Sequence, residues 1–226
     1  ILPEEIPVAF ATFMALGAWR LMKMGVIVKQ TKTVESLGSA TVICLDKTGT
    51  ITENKMELAR LYIPGANRII SIDDPVDIKG EEEKELIRIA TFASEPIPFD
   101  AMEISLHDAY GKMFQSDERP NYEMVHEYPL DGRPPMMTHV FSNKAGERII
   151  AAKGAPEAII KVSLLSDEQK NYINKAVAEL SRMGYRVLGV GETEFTGDNY
   201  PLTQQEFKFD FKGLLAFLDP PKRNIR

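Results

Sequence analysis

Two apolar runs that each end on an aspartate constrain this chain more than any other feature of it. Residues 41–45 read TVICL and are followed by Asp46 and the turn sequence KTGT; residues 213–218 read GLLAFL and are followed by Asp219 and two prolines. Short, uninterrupted apolar runs bounded by turn residues read as strands buried on both faces. Open α/β sheets take their ligands at the carboxyl ends of such strands. Aspartate beside glycine is also an ordinary turn former, so either run alone leaves a purely structural reading open. Taken together, with most of the chain between them, they suggest one sheet interrupted by a large inserted domain.

The intervening sequence carries its own local signals. Residues 65–77 read as a loop or hairpin, and the charge run at 79–84 reads as the solvated start of a helix continuing to Ala93. A second helical pattern covers 106–114. Residues 136–142 and 148–153 read as paired strands joined by the Gly-containing turn 143–146. Ser166 with Gln169 forms a capping box that opens a helix through Arg182, stopped by Gly184. Residues 185–192 follow as a strand. Met136 and Met137 read as core.

The amino-terminal segment is different in kind. Residues 6–19 are free of charge but short of the roughly 20 residues a membrane-crossing helix needs. A helix over 8–24 is expected, ending near Gly25, with Trp19, Arg20 and Lys23 marking a boundary between apolar and wet surroundings. Glu4 and Glu5, bracketed by Pro3 and Pro7, stand at its head. The start in apolar sequence suggests a segment whose beginning lies elsewhere.

Composition removes several classes of function. A net charge of −6 over 226 residues argues against a nucleic-acid partner. The single cysteine, Cys44, excludes an internal disulfide and reads as a small buried hydrophobe inside its apolar run. The three histidines, His107, His126 and His139, lack ligand spacing, which argues against a histidine metal site.

Four motifs occur in a fixed order: PEEIP at 3–7, DKTGTITEN at 46–54, KGAPE at 153–157 and DPP at 219–221. In these the chain resembles the P-type ATPases, and among them the bacterial cation pumps with a PEE-type motif. The resemblance covers essentially the whole chain. It implies an internal fragment: the end of transmembrane helix 4 and its stalk (1–29), the first segment of a phosphorylation domain (30–56), a nucleotide-binding domain (57–212) and the return segment of the phosphorylation domain (213–226). The implied fold is α/β: a partial haloacid-dehalogenase-like, Rossmann-like phosphorylation domain interrupted by an α+β nucleotide-binding domain with an antiparallel sheet, preceded by a truncated apolar helix.

The resemblance also implies roles. Asp46 is the nucleophile that becomes an aspartyl phosphate, and Lys47 supplies positive charge beside it, since phosphoryl transfer needs charge neutralisation more than a strong base. The Asp46 carboxylate and the Thr48 carbonyl hold Mg²⁺, and the Thr50 hydroxyl donates to the phosphate. Lys153 and Gly154 form the adenine-side wall of an ATP pocket, Asp100 faces the nucleotide and Arg186 reaches toward its phosphates. Asp219 shapes the hinge between domains, and Glu4 is a ligand of the transported cation. The implied partners are ATP, that cation, the actuator, phosphorylation and membrane domains of the same chain, and lipid around the amino-terminal helix. The implied setting is the cell membrane, with residues from about 25 onward on the cytoplasmic side.

Departures from the family pattern are specific. Leu130 stands where calcium-pump-like relatives stack an aromatic ring on adenine, and Pro135 stands where a basic residue is usual; Arg133 is the nearby cation. Glu5 follows Glu4 where the family more often has glycine. A soluble haloacid-dehalogenase-class phosphatase or phosphotransferase is the alternative reading, although such enzymes carry a second aspartate where this chain has Thr48. A stand-alone nucleotide-binding module is a third.

Overall fold

The computed structural model describes residues 5–30, 32–53, 55–72, 78–197, 199–222 and 225. Two compact units divide the chain between Asp46 and Lys47. The first holds helices α1 (Glu5–Lys23) and α2 (Lys32–Gly38). Arg20 and Lys23 occupy the last turn of α1, where the helix dipole favours cations. The helix stops before Gly25, whose φ of 82° suits glycine. Its apolar side chains stay exposed, Phe13 at 71%. No helix among the described residues is long and apolar enough to cross a membrane.

Residues 41–46 correct the opening expectation, because they form no strand. Val42 and Ile43 are 78% and 76% exposed, and Cys44 is exposed as well, not buried. A strand buried on both faces needs neighbours along both edges. None of the described strands pairs with this segment.

The second unit is built on a seven-stranded sheet in the order β2-β1-β7-β6-β5-β4-β3. Its strands are β1 (Glu57–Ile63), β2 (Arg68–Ser71), β3 (Tyr122–Asp131), β4 (Met136–Asn143), β5 (Arg148–Gly154), β6 (Arg186–Thr193) and β7 (Asp210–Leu218). Every neighbouring pair is antiparallel. The second apolar run is therefore a strand, but one that pairs with β1 on one side and β6 on the other. The boundary expected at 212/213 falls inside it.

Helices cover both faces. Leu215 and Phe217 of β7 pack with α3 (Glu81–Phe92) and α4 (Ala101–Met113) in one apolar cluster. Leu214 and Ala216 point the other way, into a cluster with α5 (Pro156–Val162) and α6 (Asp167–Arg182). Burial on both faces is why β7 reads as a continuous apolar run without alternation.

Local signals account for most of the connections. The β1–β2 turn places Asn67 at φ 44°, and the Tyr62 hydroxyl donates to Asn67 Oδ1 at 2.8 Å. In the β4–β5 turn, Asn143 Oδ1 accepts from the backbone N–H groups of Ala145 and Glu147. The capping box of α6 is present in full: Ser166 Oγ accepts from Gln169 N, and Gln169 Oε1 accepts from Ser166 N. Strand β3 has no counterpart among the sequence expectations. It is an edge strand with alternating exposed positions and Pro129 near its end, the pattern an edge favours and an apolar-run search passes over.

Candidate functional site

A cleft of about 510 Å³ opens beside the start of α4, the end of β3, the start of β4 and the carboxyl end of β5. Asp100, Leu130, Lys153 and Gly154 all line it. These four expected site residues come from three separate stretches of sequence, and the antiparallel register helps bring them together: Gly154 pairs with Met136 and Lys153 with Met137.

Each is held for a physical reason. Asp100 is the N-cap of α4, its Oδ1 accepting from Met102 N at 2.9 Å, which fixes the carboxylate at the cleft rim. Gly154 lies against the neighbouring strand so closely that a Cβ there would meet the Pro135 carbonyl oxygen at 2.5 Å. Only glycine lets the strand end pass at that distance. Pro156 then opens α5 at a position where a missing N–H costs nothing.

Lys153 is buried. Its Nζ donates to Ser94 Oγ at 2.7 Å and to Glu103 Oε1 at 2.5 Å, and both side chains of the ion pair are 8% exposed. Burial pushes the ammonium below its ordinary pKa, while the Glu103 carboxylate pulls it back up. The other Glu103 oxygen, Oε2, is buried with no hydrogen-bond partner among the described residues.

Around this pair the lining is apolar and acidic. Glu95, Asp100, Glu103 and Glu127 line the cleft, with Lys153 as its single cation among the described residues. Such a wall accepts hydrogen bonds and an apolar ring far better than it accepts a polyphosphate. Phe99 contributes an aromatic face, 81% exposed. Neither Phe99 nor Glu103 was foreseen; both flank the nominated Asp100, and PFDAME carries an aromatic and a second carboxylate that could have been read from the sequence. Met136 is core as expected, but Met137 lines the cleft.

Two expected site cations lie apart from the lining. Arg186 is exposed at the start of β6, although the next two residues, Val187 and Leu188, line the cleft. Arg133 is exposed in the β3–β4 turn, between lining residues Leu130 and Pro135.

Thr50 and Asp219 flank the start of β1 and the carboxyl end of β7, the same end of the strands at which Phe217 lines the cleft. The backbone of 47–51 forms a π-helical turn; the side chains of Lys47 and Thr48 lie outside what is described, as does Glu4. Asp46 and Thr50 are exposed. Thr52 Oγ1 donates to Asp219 Oδ2 at 2.6 Å and accepts from Gly49 N at 3.2 Å. Lys222 Nζ donates to the Gly49 carbonyl at 2.7 Å, and Thr52 bridges Pro221 in antiparallel fashion. The DKTGT and DPP segments, distant in sequence, are thus tied directly together.

An antiparallel sheet with an apolar and acidic cleft at the ends of its strands defines a candidate ligand-binding domain. The family model for the P-type ATPase, cytoplasmic domain N, matches residues 97–224, more than half of the chain. The chain belongs to the P-type ATPase family. It is 28% identical over 241 residues to calcium-transporting ATPase 1 of Bacillus cereus, covering 100% of this chain and 27% of that protein. Calcium-transporting ATPase 1 of Saccharomyces cerevisiae is 27% identical over 261 residues, with 100% and 28% covered. The plasma membrane ATPase of Kluyveromyces lactis is 29% identical over 232 residues, with 97% and 23% covered. The chain spans about a quarter of the length of these relatives.

Proposed function

We propose that this chain is the ATP-binding and phosphoryl-accepting portion of an ATP-driven cation pump that forms an aspartyl phosphate. The observation that carries the reading is the convergence of Asp100, Leu130, Lys153 and Gly154 on one cleft. An apolar and acidic cleft suits the base and sugar of ATP, leaving the triphosphate to extend outward. In this reading the phosphates meet Arg186 and Arg133, which are exposed close in sequence to lining residues. With Leu130 in place of a stacking aromatic, the ring nearest to hand is Phe99.

In the whole protein, the Asp46 carboxylate attacks the γ-phosphorus, the bond to the β-phosphate oxygen breaks, and ADP leaves with that electron pair. Lys47 and the Thr50 hydroxyl stabilise charge on the migrating group. The donor set of Asp46 carboxylate and Thr48 carbonyl is all oxygen and fits Mg²⁺, which when bound neutralises phosphate charge. Residues 41–46 and the segment after Asp219 belong, in this reading, to a haloacid-dehalogenase-like phosphorylation domain whose other strands come from the rest of the chain. Helix α1 and Glu4 belong to the membrane part, with Glu4 on the transported cation, lipid around the helix and the later residues on the cytoplasmic side.

The test is titration of this chain with ATP in the absence of Mg²⁺, followed by backbone amide signals. Shifts are expected at Asp100 and Gly154, with Arg186 following as the phosphates settle. Shifts confined to other surfaces, or none at millimolar ATP, would remove the assignment.

A further inference from the structure

We propose that Glu95, Glu127 and His139 form a binding site for a divalent transition-metal ion of the zinc class. The scattered spacing of His107, His126 and His139 argues against a histidine metal site, and Glu95, Glu127 and His139 likewise lie on separate stretches of chain. The fold brings them together. Glu127 on β3 and His139 on β4 are direct cross-strand partners, so their side chains share one face of the sheet. Glu95 follows the end of α3 and completes the group. One ligand atom from each residue lies within 4.8 Å of the other two.

His139 supplies the independent observation. Its side chain is fully buried, and Nδ1 lies 3.2 Å from the Ser94 carbonyl oxygen and 3.3 Å from that of Phe92. Carbonyl oxygens only accept, so Nδ1 carries the proton and Nε2 of the neutral ring presents a lone pair. That Nε2 is buried and has no hydrogen-bond partner among the described residues. A ring fixed by Nδ1–H to backbone oxygen, with Nε2 left open beside two carboxylate side chains, is the arrangement in which imidazole ligates metal. Burial also holds the ring below its ordinary pKa, which keeps it neutral.

The geometry needs only small adjustment. Zinc bonds of about 2.0–2.1 Å place tetrahedral ligand atoms about 3.4 Å apart. Glu127 is exposed and Glu95 half-buried, so carboxylate rotation closes the gap while the buried ring stays still. Lys153 does not compete for these carboxylates, since its ammonium is engaged by Glu103 and Ser94. One imidazole and two carboxylates neutralise a dication and favour zinc-class ions over Mg²⁺. Both glutamates line the cleft, so the fourth ligand position opens toward it. The proposal stands whether or not that cleft takes ATP.

The test is titration of the 226-residue chain with Zn²⁺ alone, in nucleotide-free buffer, by calorimetry and by imidazole NMR signals. One saturable equivalent is expected, with the His139 ring signals shifting and those of His107 and His126 unmoved. Glu127→Gln and Glu95→Gln should each weaken binding about tenfold or more, while their circular dichroism matches the parent. His139→Asn should abolish the site; should it also unfold the chain, the two glutamate variants decide the matter. Zinc that shifts the other histidines or the exposed Cys44 instead, binding unchanged in both glutamate variants, or no saturable binding at millimolar Zn²⁺ would overturn the site. Equal shifts of His139 with Mg²⁺ would overturn the choice of metal.

Discussion

Lys153 and Glu103 behave as one unit because, among the described residues, each is the other's only charged hydrogen-bond partner in a nearly dry place. Lys153→Met removes the cation and leaves a buried carboxylate uncompensated. Breaking a buried pair from one side costs about 3–5 kcal/mol, whereas replacing both partners is often close to neutral. Urea unfolding of the chain should therefore show a large loss for Lys153→Met and recovery of most of it in Lys153→Met with Glu103→Leu. A loss below about 1 kcal/mol would mean that water reaches the pair and screens it. Lys153 was legible as a site residue from KGAPE, but its partner was not. Glu103 sits one helical turn after Asp100, and nothing local says that it meets a strand fifty positions away. Gly154 was the opposite case, since a glycine between a strand and a helix already signals close backbone approach. His139 shows the limit most plainly: a histidine's ligand set is a property of register, which residue spacing does not contain.

Elements were readable where a local device writes them. The helix opened by Ser166 announces itself through capping residues and a terminal glycine, and Ser166→Ala should cost about 1 kcal/mol of stability. Thermal unfolding checks this, and ATP-induced shifts at Gly154 should be unchanged because α6 covers the other face of the sheet. A stability change within error would mean that Gln169 N is satisfied by water at no cost. The two apolar runs show how elements mislead. A continuous apolar run reports burial on both faces, and says nothing of strand direction. At 214–218 the burial is real, yet it comes from helices on both sides of an antiparallel sheet. At 41–45 the same kind of run lies exposed, since a strand is made by its neighbours. Edge strand β3 was missed for the converse reason: half its residues face solvent, and its identity lies in its pairing with β4.

For the molecule as a whole, motif order carried the family, and the sheet explains how motifs so far apart in sequence serve one purpose. In the complete protein, Asp46→Asn should abolish acid-stable, hydroxylamine-sensitive labelling from γ-labelled ATP, because a neutral amide is a poor nucleophile. Nucleotide binding should persist, since Asp46 is not among the residues that line the cleft. Label that survives in Asp46→Asn but vanishes in Asp219→Asn would assign the phosphoryl group to the other carboxylate. Thr52 is the residue whose role only the assembled chain reveals, as the hydroxyl that ties Gly49 to Asp219.

That junction also determines how the domain responds to force. Strand β1 begins at Glu57 opposite Leu218, the last residue of β7, so both connections leave side by side from the same end of one strand pair. A pull that separates them meets the β1–β7 hydrogen bonds one at a time, as a zipper does, and never all at once in shear. The first piece to come away would be the β1–β2 hairpin, leaving β7 through β3 as a five-stranded remainder. The Thr52–Asp219 and Lys222–Gly49 bonds sit just outside that end, where they act as the stop on the slider.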